Sequence, residues 1–127
     1  MKNLIVSIAC ILALLLPWLA YEKYSTDLIR EYSSTLKNEI INSIESGDWN
    51  TAEESYAELS ESWKRLKSVS EYFLDAKSLS ETDELLNKIE YHISMHDASN
   101  AAAGSAELIH MFDYLHENEK LSFGNIF

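Results

Sequence analysis

From Leu4 to Tyr21 the chain carries no charge, and its one serine or threonine there is Ser7. Eighteen helical residues at 1.5 Å each reach ~27 Å, close to the thickness of a bilayer's hydrocarbon core. Such a run is either a cleaved secretory signal or a retained anchor. A cut after Ala20 would put bulky Trp18 three residues before the scissile bond, where a small residue is required. A lipoprotein cut before Cys10 would leave too short an apolar run upstream. The residues therefore point to an uncleaved anchor over positions 1–21. In it Cys10 is a small apolar filler, and Trp18 and Tyr21 suit the outer interface. Pro17 removes one helical hydrogen bond and is tolerated, as membrane prolines are.

Charge sets the direction. The amino terminus and Lys2 precede the run, and all 21 acids follow it. Short cationic ends stay in the cytoplasm. The expectation is a single-pass protein of the cell membrane with a cytoplasmic N-terminus and an extracytoplasmic domain over 22–127.

That domain reads as all-α. The chain holds 3 Gly and 1 Pro in 127 residues, too few for a loop-rich or all-β fold. Leu28, Tyr32, Leu36, Ile40 and Ile44 recur every four residues, a stripe that winds slowly around a helix. No breaker interrupts it before Gly47, so the first helix leaves the membrane as one rod to about Ser46. Gly47 suits a left-handed helix end, and Asp48 suits the next N-cap. In the second helix Ala52, Tyr56, Leu59, Trp63, Leu66, Ser70 and Phe73 alternate four and three apart, a heptad seam with Trp63 in the core. Glu61 can pair with Arg65 one turn on. A loop is expected from about Asp75 to Ser80, with Ser78 to Glu81 as a capping box. The third helix then runs from about Glu81 to His96, with Leu85, Leu86, Ile89 and Ile93 on one side. Asp97 caps a fourth, whose inward stripe is Ala101, Ser105, Leu108, Phe112 and Leu115. Gly104 and the alanines before it permit close helix approach.

Sliding the chain by about 49 positions exposes a weak internal repeat. Leu36 falls on Leu85, Ile40 on Ile89, Ile44 on Ile93, Asp48 on Asp97, Ala52 on Ala101, Leu59 on Leu108 and Leu66 on Leu115, and Trp63 meets Phe112. Each half is a helix, an Asp-capped turn and a second helix. Neither αα-hairpin can bury its apolar face alone, so the two are expected to pack as an up-down bundle.

Asp48-Trp49 followed by Ala52, then Trp63-Lys64, and the closing Glu119-x-Leu121-Ser122-x-x-Asn125-Ile126-Phe127 resemble the bacterial family DUF4363. The resemblance spans nearly the whole chain. It implies a short protein with an N-terminal membrane helix and an all-helical remainder, and it implies no activity. Members often carry a histidine beside an acid in the loop after the second helix. Here that stretch is Asp75-Ala76-Lys77, without one.

Chemistry is sparse. A net charge of −11 offers no basic patch to a nucleic acid. One cysteine excludes an intrachain disulfide and multi-cysteine zinc patterns. There is no Gly-x-Ser-x-Gly elbow, phosphate-binding glycine loop or EF-hand spacing. His92 and His96, four apart on the Leu85/Ile89 side, are the candidates for metal, but two ligands do not define a site. His110 should face outward, and His116 lies too far along the fourth helix to reach His96. Trp49 and the apolar tail, with Leu121, Phe123, Ile126 and Phe127, are the candidate partner surface; the tail reads as a docking strap. The expectation is a non-catalytic, membrane-anchored interaction or scaffold protein without a cofactor, bound to the membrane through Leu4–Tyr21 and to another membrane or envelope protein. The alternative is a ligand- or cation-sensing module. A pocket separates the two, since tightly packed helices leave none and a sensor needs one.

Overall fold

The computed structural model describes residues 1–72 and 74–126, the segment 118–126 by its backbone alone. Four helices account for nearly all of it. Helix α1 spans Lys2–Ser46, α2 Trp49–Ser70, α3 Ala76–Ser94 and α4 Ala98–Ile126. They run up and down, with α1 against α2 and α4, and α3 against α2 and α4.

Helix α1 is one rod, as its lack of breakers requires, but its stripe does not wind. In an α-helix each four-residue step overshoots a full turn by about 40°. Between Leu36 and Ile40 the backbone adopts a π-helical turn, which takes up that overshoot. Tyr32, Leu36, Ile40 and Ile44 consequently all reach the core.

The rod divides sharply by burial. Leu4, Ile5, Val6, Ile8, Ile11, Leu12, Leu14, Leu16 and Leu19 are all exposed. Tyr21 is the first buried residue, and its hydroxyl donates to Ser70 Oγ at 2.7 Å. Tyr21 thus belongs to the bundle core and not to an interfacial aromatic belt. Trp18 lies one turn below, its ring 6.4 Å from that of Tyr21.

Two more tyrosines clamp helix to helix from inside the apolar seams. Tyr32 hydroxyl lies 2.6 Å from Ser62 Oγ on α2, and Tyr56 hydroxyl donates to the Leu86 carbonyl on α3. Each joins a large apolar ring to a satisfied polar tip, the condition for burying a phenol. Burial pushes the Tyr56 hydroxyl far above its ordinary pKa, with Glu90 adding to the effect.

The repeat is structural. The seam pairs matched at the offset are buried in both halves, from Leu36 and Leu85 to Leu66 and Leu115, while the matched Ala57 and Ala106 are both exposed. Asp48 and Asp97 both cap, accepting from the backbone N–H of Thr51 and Asn100. Gly47 has φ 78° and its counterpart His96 has φ 54°, so both hairpins turn through a left-handed residue. The rings of Trp63 and Phe112, equivalent by the offset, pack 5.6 Å apart at the centre of the bundle. Ile89 packs so closely on Gly104 that a Cβ there would stand 2.8 Å from Ile89 Cγ1.

Two helix boundaries and one ion pair differ from expectation. Asp75, not Ser78, caps α3: its carboxylate accepts from the Ser78 N–H at 2.7 Å and the Ser78 hydroxyl at 3.0 Å. The extra turn carries Ser78 and Leu79 into the core, which a start at Glu81 would leave unbuilt. At its other end α3 stops at Ser94, because left-handed His96 cannot continue it. Glu61 pairs with Lys64 at 3.4 Å in place of Arg65.

Candidate functional site

Three places on the described surface carry more than packing: a groove between α2 and α3, the turn end of the bundle, and its base near the apolar run.

The groove holds about 870 Å³ and opens to solvent along one side. Its space comes from short side chains, Ala57 and Ser60 on α2 and Asn87 on α3, set between longer neighbours. Buried Tyr56, Trp63, Leu86 and Ile93 form the floor, and Glu53, Glu61, Glu71, Glu90 and Lys64 the rim. At its polar centre Asp83 joins the two helices. Trp63 Nε1 donates to Asp83 Oδ1 at 2.9 Å, and Lys67 donates to Oδ2. That bond to Asp83 raises the Lys67 pKa. Packed helices were expected to leave no pocket. The groove exists because the α2 seam is inward while the positions flanking it are small.

Sequence reasoning placed Trp63 in the core correctly and missed Asp83 altogether. The signal was weak: an acid on α3 looks like any other member of an acidic face until the helix register sets it opposite Trp63 and Lys67.

At the turn end the structure separates the two candidate metal ligands. His92 is the last-turn histidine of α3, with Nδ1 3.9 Å from Asp97 Oδ2. His96 lies past the helix, exposed, with its ring stacked on Trp49 at 4.7 Å and an interplanar angle of 1°. The pair therefore does not share a helical face. Among the described residues no three His, Cys, Asp or Glu side chains cluster as a metal ion would require. Asp97 is held below the ordinary carboxylate range by its bonds to Asn100, with a smaller contribution from His92. Trp49 is half-buried and packs on the core edge, so it joins the two turns to each other. His110 is exposed, as expected, and His116 Nδ1 lies 3.4 Å from Thr26 Oγ1, at the other end of the molecule from His96.

At the base, the tail expected as a strap continues α4 as helix to Ile126. The side chains of Leu121, Phe123 and Ile126, and Phe127 entirely, lie outside the described residues.

Compared with known proteins, residues 21–126 match the family described as Domain of unknown function (DUF4363). No curated protein and no solved structure matches the chain. The family match begins at Tyr21, the residue where burial begins. It covers most of the chain, which therefore belongs to the DUF4363 family.

Proposed function

We propose that this chain is a membrane-anchored, non-catalytic interaction module, with the apolar run from Leu4 to Ala20 in the bilayer and the bundle, from Tyr21 on, on the extracytoplasmic side. One observation carries the reading: nine large apolar residues between Leu4 and Leu19 stay outside the core of a helix that runs unbroken into a packed bundle. A soluble protein seldom leaves so large a contiguous apolar surface uncovered. Lys2 ahead of the run and the acids beyond it support the direction.

Within the domain the polar side chains serve architecture. Asp48, Asp75 and Asp97 cap helices, Asp83 bridges α2 and α3, and three tyrosines clamp helix pairs. What remains for function is surface, and the α2–α3 groove is a sizeable concavity on it. A photo-crosslinking residue placed at Ala57 or Asn87 of the full chain in native membranes tests the reading. A discrete protein adduct at these positions and none at His110 supports it. A small molecule or metal that co-purifies in stoichiometric amount, and is lost on Lys67→Ala or His92→Ala/His96→Ala, would replace it with a sensing role; the groove is the observation that favours that second reading.

A further inference from the structure

Two contacts fix the helices in height along α1. Tyr21 hydroxyl donates to Ser70 Oγ, so the end of α2 lies level with Tyr21. Thr26 Oγ1 meets His116 Nδ1, so α4 passes Thr26 at His116 on its way back. From His116 the α4 backbone stays helical to Ile126. At 1.5 Å per residue its end lies ~15 Å below that contact, whereas Tyr21 lies only ~7.5 Å below it. The last turns of α4 therefore descend past Tyr21 to about the level of Leu16, well within the apolar run. The sequence at that depth is Leu121-Ser-Phe-Gly-Asn-Ile126.

The α2–α3 connection lies at the level of Tyr21, where the apolar run ends. It leaves α2 at Ser70, and Tyr72 stands 85% exposed there, the most exposed aromatic among the described residues. Tyr24 on α1 is half-exposed just above. The described charges at this base are mixed, Lys23 and Lys77 against Glu22, Glu71 and Asp75. The base is therefore mildly acidic, and the lipid it rests on is zwitterionic, because anionic lipid would be repelled. Aromatic rings on such a surface are what the bilayer interface retains.

Resting on the reading that the run from Leu4 to Ala20 spans the bilayer, we propose that the base of the bundle is itself a lipid-binding surface. The end of α4 and the Tyr72 loop sit in the outer interface beside α1. The occupant is the headgroup and upper acyl layer of the membrane, because the register places these segments at that depth whenever the anchor is inserted. The domain then stands directly on the membrane at three points, which fixes its tilt and holds the α2–α3 groove at a constant height and direction.

The test uses the full chain with Cys10→Ser, reconstituted in phosphatidylcholine vesicles. Single nitroxide labels go at Tyr72→Cys and Phe123→Cys, with Leu12→Cys in the span and Tyr91→Cys near the turn end as references. Collision rates with oxygen, which partitions into lipid, and with a water-soluble nickel chelate report depth. Labels at 72 and 123 should show nickel collision several-fold lower than at 91, with oxygen collision raised toward the value at 12. Water-like rates at both positions, with a lipid-like rate at 12, would overturn the proposal and leave the anchor standing. A water-like rate at 12 would remove the anchor and the proposal together. Low collision with both reagents at 72 and 123 would mean a packed protein contact in place of lipid, and would also overturn it. The Tyr72 label sits on an exposed side chain and so reports even if substitution at 123 disturbs the fold.

Discussion

Replacing Trp63 with alanine strikes the point where the two halves of the bundle meet. The side chain is 1% exposed, packs on Phe112 at 5.6 Å and donates to Asp83. Truncating a fully buried large aromatic costs about 3–5 kcal/mol. Loss of the indole donor is a smaller addition, because Asp83 is a third exposed and keeps Lys67. For a helical domain of this size each kcal/mol moves the melting midpoint by roughly 4–8 °C. Trp63→Ala in the full chain, melted in mild detergent and followed by circular dichroism, should lower the bundle's midpoint by at least ~12 °C or abolish the cooperative transition. Trp63→Phe keeps an aromatic ring in the core but loses the bond to Asp83 and part of the indole's volume, so its cost should fall below that of Trp63→Ala. A midpoint within ~2 °C of the parent for Trp63→Ala would refute the central packing of Trp63 against Phe112.

The two left-handed turns differ in residue and should respond differently. Gly47→Ala meets no atom within 4 Å, so its cost is purely conformational, about 1–2 kcal/mol in a urea titration. His96→Gly relieves that strain but loses the ring stack on Trp49, so the two effects should nearly cancel. Gly104→Ala should destabilise by about 1–3 kcal/mol despite alanine's better helix propensity, because Ile89 is β-branched and buried and its Cγ1 would stand 2.8 Å from the new Cβ. Alkaline stability should fall from about pH 10 upward. The folded-state pKa values of Tyr56 and Lys67 are raised, so their contribution is complete below the unfolded values and is lost as pH rises through the folded ones. Tyr56→Phe should flatten that limb in a pH–melt series. In acid the sign reverses. Asp75 is held low by its bonds to Ser78, so its capping contribution is present above about pH 4 and fades as pH falls through the folded value; Asp75→Asn should shallow the acid limb.

The parts of this fold legible in the sequence are those set by local chemistry and by periodicity. The seams of α2 and α4, the Gly47–Asp48 turn, the Asp97 cap and the offset relating the two hairpins all follow from spacing. His96 shows where that reasoning stopped short. The offset places it on Gly47, and the turn it occupies follows from that equivalence, yet its distance from His92 suggested a ligand pair on a continuing helix. The start of α3 is misplaced by local signals because Asp75 and Ser78 are both good caps; the burial of Ser78 and Leu79 decides between them, and burial is a tertiary fact. Register across helices was invisible in the same way. It sets Tyr21 on Ser70, Asp83 between Trp63 and Lys67, and the open groove beside them.

Both proposed roles of the bundle require the apolar run from Leu4 to Ala20 to stay attached and inserted. The most direct measurement is intact-mass spectrometry of the chain recovered from alkaline-carbonate-washed membranes. The expected result is a membrane-retained species of 14.5 kDa that still carries residues 1–21. A shorter chain beginning near Tyr21 and released into the soluble fraction would contradict it.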